Sequence, residues 1–257
     1  MKEKGIFAAL TLLAGTAIMA HPGIARADDG GGQLSCPVTY SQLKTALVAA
    51  DTVDSSGFNN HFWAVVVNRA GVVCAVAFSG SDTGSQWLSS RQIAAAKAFT
   101  ANGLSLDIGS AGTGALSTAQ LYQFVQPDNV NVANPLYGLA GGNVLDSEAA
   151  YWGDYKSFGT PYDPMIGRRV GGTITFGGGL GLYQGNTVVG GVGLSGDTAC
   201  ADHSVAWRTR SLLGLQQSNP MDKITFATTP GQPNGHPCCP NATSTQGAVN
   251  PSVCTPS

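Results

Sequence analysis

The residues best equipped for chemistry lie in one short run, Cys200-Ala201-Asp202-His203. Imidazole is a ligand of haem iron, as are the side chains of Met, Cys and Tyr. His203 is therefore the leading candidate for an axial ligand, with His61 and Met165 as further candidates. Lys97 and Arg208 carry the charge needed to pair with a carboxylate such as a haem propionate. Each also has a plainer reading. His203 can hydrogen-bond neighbouring chain, Arg208 and Arg210 can sit in solvent, and Lys97, flanked by alanines, can run its stem along a packed helix face.

Gly191-Val192-Gly193-Leu194-Ser195-Gly196 has the spacing of a dinucleotide-binding turn. A hairpin strand precedes it, no βαβ series follows, and no acid lies at the required distance, so the glycines are read as permitting close helix–strand packing. The helix start beside Gly196 remains able to receive a ligand carboxylate. Ser195 does not make a nucleophile elbow, because Asp197 stands where the motif needs its last glycine.

Six cysteines, Cys36, Cys74, Cys200, Cys238, Cys239 and Cys254, form an even set suited to disulfides. The expected pairs are Cys36 with Cys74, and Cys200 with Cys238 or Cys239. Zinc is the rival use. His236-Pro237-Cys238-Cys239 lacks the spaced cysteine pairs of structural zinc sites, which disfavours it.

These residues need elements to hold them. Val38, Leu43, Ala46, Leu47 and Ala50 form one helical stripe. Residues 62–68 and 72–78 read as a hairpin around Arg69-Ala70-Gly71, followed by a polar loop over 79–85 and a helix over 86–101 that stops at Asn102-Gly103. A helix opens at Ser117 and ends at Pro127. Residues 128–169 hold three prolines and many aromatics and read as an ordered insertion over a pocket or interface. Strands over 172–183 and 187–195 form a second hairpin. A helix over 199–213 follows, with Asp197 and Thr198 as caps, then a short strand over 224–228. Paired hairpins with flanking helices make an α+β fold with an antiparallel sheet.

Charged residues are only 11% of the 257, and the net charge is −2, without the basic stripe of a nucleic-acid partner. Ile6–Ala20 is an uncharged apolar run after Lys2 and Lys4, followed by the small-x-small site Ala25-Arg26-Ala27. Residues 1–27 thus read as a secretory signal peptide whose apolar run, Ile6–Ala20, is short for a bilayer span, with no membrane span expected after its cleavage. The chain is expected to be exported, to the periplasm or beyond. Its expected organisation is a single domain over 28–220 and a cysteine-rich tail over 221–257.

Three stretches resemble the GlcG/HbpS-like haem-binding family: residues 71–78 with Asp82 after them, residues 90–101, and the double-glycine segments 176–183 and 188–196. Gly80 departs from the family pattern, which often carries an arginine there. The resemblance implies a compact profilin-like α+β domain, homo-oligomers, and haem as ligand, with a non-enzymatic role in haem handling or oxidative-stress sensing. Two other readings stand beside it: an enzyme acting on a small organic acid or cofactor at a pocket near Gly196, and a structural or sensory subunit with an extracytoplasmic protein partner.

Overall fold

The structure, a computed structural model, describes residues 35–109, 114–127, 136–139, 144–228 and 235–254. The expected signal peptide and part of the expected insertion lie outside these residues. Helix α1 (Tyr40–Thr52) begins at Thr39, whose hydroxyl accepts the Gln42 amide in a reciprocal capping box. Strands β1 (Trp63–Asn68) and β2 (Val73–Phe78) form the first hairpin. Helix α2 covers Ser90–Leu104, and α3 (Thr118–Leu121) runs into a 3₁₀ turn over Tyr122–Val125. Helix α4 (Ser147–Tyr151), strands β3 (Gly179–Gln184) and β4 (Thr187–Ser195), and helix α5 (Ala199–Leu212) complete the order.

All four strands pair antiparallel in the order β2-β1-β4-β3, so the fold is α+β. Strand β1 is central and every residue in it is buried. Ala64 and Val66 point into a core with Leu43 and Leu47 of α1 and Val205 of α5. Val65 and Val67 point to the other face, against Ala94, Ala95 and Ala98 of α2. The alternation follows from strand geometry, in which successive side chains face opposite sides.

The glycines of β4 set the spacing on the α2 face. A Cβ on Gly193 would lie 2.1 Å from the Ala94 carbonyl oxygen, and one on Gly191 would lie 2.3 Å from that of Ala98. Helix α2 therefore lies directly against strand backbone, as the packing reading of the glycine motif anticipates.

Four local expectations are corrected. Helix α2 begins at Ser90 and continues through Asn102 and Gly103 to Leu104, because Asn102 is buried and tied to Arg69. Strand β3 starts at Gly179, since Gly178 takes φ +118°, outside strand geometry. The segment after Ser117 is one helical turn and a 3₁₀ turn. Residues 224–228 make only isolated parallel bridges, Ile224 to Ala248 and Phe226 to His236.

Arg91 of α2 docks the described part of the insertion. Its guanidinium makes two 2.6 Å bonds to Asp163 and donates to the Ala150 carbonyl at 2.9 Å. It lies over the Phe158 and Trp63 rings, 3.8 and 5.1 Å from their centroids. The tail is stapled instead. Disulfides join Cys36 to Cys74, Cys200 to Cys239, and Cys238 to Cys254. Of the two partners expected for Cys200, the structure selects Cys239. No helix among the described residues is long and apolar enough to cross a membrane.

Candidate functional site

The site grows from the junction of β4 and α5. Thr198 caps α5 by accepting the Ala201 amide at 3.2 Å. This turn places Asp202 under the preceding loop, where its Oδ1 accepts the Gly196 amide at 3.0 Å and the Asp197 amide at 3.1 Å. Its other oxygen meets Lys97 Nζ at 2.5 Å. Lys97 also donates to the Leu194 carbonyl at 3.0 Å and sits 4.6 Å from the Phe176 ring centroid.

Lys97 thus does not reach solvent; its charge is spent on Asp202. Burial lowers the pKa of Lys97 despite the neighbouring carboxylate, and burial raises that of Asp202 to about 6 against the pull of Lys97. The Gly196 amide is likewise engaged by Asp202, and the space above it is filled: a Cβ there would lie 2.0 Å from the His61 carbonyl oxygen. An internal carboxylate takes the place that an external one was expected to take.

Asp197 carries the arrangement to the surface. Its carboxylate accepts the Phe58 amide at 2.9 Å and the Asn60 amide at 2.9 Å, fixing the loop that presents His61. The His61 side chain is 48% exposed, with Nδ1 3.1 Å from Asp51 Oδ2. A carboxylate only accepts, so Nδ1 donates, and in the neutral imidazole the lone pair is on Nε2. Carboxylate-to-histidine contacts of this kind orient metal-binding imidazoles. The Phe78 ring stands edge-on at 6.0 Å, and Phe58 is exposed. Arg208 pairs with Asp54, just beyond the end of α1 whose last turn holds Asp51. His61 and Arg208 therefore both clamp the same end of α1.

His203 is different. Its side chain is wholly buried, and neither ring nitrogen has a hydrogen-bond partner among the described residues. The Trp207 ring packs at 5.9 Å, and burial drives the His203 pKa down to about 3. The imidazole is neutral, which suits ligation, but a porphyrin reaches it only if the surrounding core opens. Met165 is also wholly buried, in the core on the α2 face.

Sequence reasoning placed Asp197 at the start of the last helix but not its hold on the His61 loop, and it did not find Asp51, Asp163 or Asp222 as partners. Arg210, read as free for a propionate or for solvent, is buried against Asp222, with the second bond at 2.9 Å. Asp163 is 72 positions from Arg91, and Asp51 and Asp222 are 10 and 12 from His61 and Arg210, so none falls at the i+3 or i+4 spacing that marks a pair on one helix.

The sheet, clasped between α2 on one face and α1 with α5 on the other, defines one α+β domain class. A family model described as "Haem degrading protein HbpS-like" matches residues 42–210, and the chain belongs to that HbpS-like family. The chain is similar to Klebsiella pneumoniae protein ORFY, at 22% identity over 68% of this chain and 86% of that one, with TM-score 0.43. It is similar to a solved PduOC–haem complex at 21% identity, covering 67% of this chain and 89% of that one, with TM-score 0.42. A double mutant of Streptomyces reticuli HbpS aligns at 19% identity over 76% of this chain and 98% of that one, with TM-score 0.39. No curated protein matches the chain.

Proposed function

We propose that this protein is an exported haem-binding protein that takes haem at the surface around His61. Family membership supports haem as the ligand. The observation that carries the location is the His61 ring, half open to solvent with its Nδ1 held by Asp51. Of the three candidate ligands, His61 alone combines exposure with an oriented lone pair; His203 and Met165 are enclosed. Arg208, anchored on the same end of α1, is the nearest fit for a propionate partner. Lys97 and Gly196 support the loop through Asp202 and do not touch the haem. Bound haem supplies redox-active iron; the chain's part is to hold it through His61.

Three disulfides fit an oxidising, extracytoplasmic compartment. Exposed aromatics of the described insertion, Trp152, Tyr155 and Tyr162, fit a contact with a second copy, the homo-oligomer expected from the resemblance. The test is haem titration of the oxidised protein followed by absorbance. A saturable Soret band that His61→Ala shifts or abolishes supports the proposal. A band that moves only with His203→Ala relocates the ligand. The family's description as haem-degrading adds a second reading, an enzyme, which steady loss of the Soret band with added reductant would favour over storage.

A further inference from the structure

The tail carries chemistry that the haem proposal does not use. Cys200, His236 and Cys239 place one ligand atom each within 4.8 Å of one another. Cys200 and His236 are buried, and Cys239 is partly exposed. The Pro237 carbonyl oxygen lies 3.9 Å from each sulfur and accepts the Nδ1–H of His236 at 2.8 Å. That bond fixes the tautomer, leaving the Nε2 lone pair, which the Gly177 amide meets at 3.2 Å. A backbone carbonyl on one imidazole nitrogen is the usual support of a metal-binding histidine.

We propose that the Cys200–Cys239 disulfide caps a site for a thiophilic d10 cation of the zinc class, which opens when a dithiol reductant cleaves the bond. The exposed sulfur, Cys239, is where a thiolate attacks. Cys200 leaves as a thiolate in the first turn of α5, where the helix N-terminus favours negative charge. A second thiolate of the reductant then displaces Cys239, so one dithiol becomes a disulfide and the protein gains two thiols. Binding of the dication releases both thiol protons and leaves a neutral dithiolate complex, with His236 as third donor through Nε2, which gives up its hydrogen bond from the Gly177 amide. Two thiolates and an imidazole suit zinc chemistry.

A second observation points the same way. His203 lies one helical turn beyond Cys200, close to Gly177, whose Cβ position falls 3.0 Å from His203 Cβ. Its two buried ring nitrogens have no partner among the described residues, so it is the neighbour equipped to fill a fourth position. The full set then reads Cys-x-x-His on α5 and His-x-x-Cys in the tail.

The test reduces the mature protein with a dithiol, removes the dithiol under argon, and titrates Co(II) as a spectroscopic stand-in for Zn(II). The expected result is one ion per chain, with thiolate-to-cobalt charge transfer and tetrahedral visible bands that Zn(II) abolishes. Oxidised protein shows none of this. Cys200→Ser and Cys239→Ser remove the bands, and His236→Ala weakens binding by more than the roughly tenfold of losing a supporting contact. Where a variant does not fold, alkylation of the reduced wild type gives the answer: Zn(II) should slow labelling of Cys200 and Cys239 but not of Cys36 and Cys74. Equal labelling rates with and without Zn(II), or bands that need Cys238 and Cys254 instead, overturn the proposal.

Discussion

Lys97 Nζ and Asp202 Oδ2 lie 2.5 Å apart at the centre of the protein, with at most 1% of either side chain exposed. One comes from α2 and the other from α5, on opposite faces of the sheet, so the contact bolts the two layers together past the end of β4. Taking two charges out of water is costly, and the pair holds because Asp202 also gathers two backbone amides while Lys97 reaches a carbonyl and a ring.

Removing one partner should therefore be severe. Lys97→Met leaves a buried carboxylate uncompensated and should cost about 3–5 kcal/mol in urea unfolding. Lys97→Met/Asp202→Asn should cost less than the sum of its two single variants, since neither lone charge remains. A loss under about 1 kcal/mol for Lys97→Met would contradict the pairing.

Acid sensitivity should trace to the buried histidines. Burial holds His203 near a pKa of about 3 and His236 near about 4, against an ordinary 6.5. Both folded values are lowered, so the folded state stays neutral while the unfolded chain takes up protons below 6.5. Stability is then full above that pH and falls as the pH drops toward the folded values. Arg210, His236 and Lys97 add to the lowering at His203, and Asp222 opposes it. Asp202, raised by burial, contributes with opposite sign below about 6. A difference measurement isolates His203: the stability of His203→Leu relative to wild type should rise by about 3 kcal/mol between pH 7 and pH 4. Parallel pH curves for the two proteins would refute neutral burial.

The β4 glycines should tolerate nothing larger. Gly193→Ala puts a methyl 2.1 Å from the Ala94 carbonyl oxygen and 2.4 Å from the Ala98 nitrogen, so α2 must shift bodily. The expected loss is at least the about 1–3 kcal/mol of core overpacking. Gly185→Ala serves as control for space, because nothing lies within 4 Å of its Cβ position, although its φ of +60° adds some strain.

Cys36 fastens the chain before α1 to Cys74 on the edge strand β2, across a sequence separation of 38. Cross-linking a loop of that length restricts the unfolded chain by about 4 kcal/mol. Cys36→Ser/Cys74→Ser should lose most of that in denaturant unfolding without changing haem uptake.

Periodic elements were legible in the sequence because their signals are local. The stripe from Val38 to Ala50, the two hairpins and the Thr198 cap each show within one segment. The layered fold followed from them, and residues 71–78, 90–101 and 176–196 pointed to the family. The site was less legible, because its defining contacts are long-range. Asp51 and Asp197 act on His61 from different elements, and Lys97 resembled a packed surface lysine until Asp202, 105 positions away, came into contact. His203 drew attention by residue type, but burial is a property of the assembled core.

The haem titration of oxidised His61→Ala beside wild type tests the central claim most directly. The account predicts a saturable Soret band in the wild type and a shifted, weakened or absent one in the variant, with Asp51→Asn intermediate at about 10–100-fold weaker binding. An unchanged band and affinity in His61→Ala would contradict it.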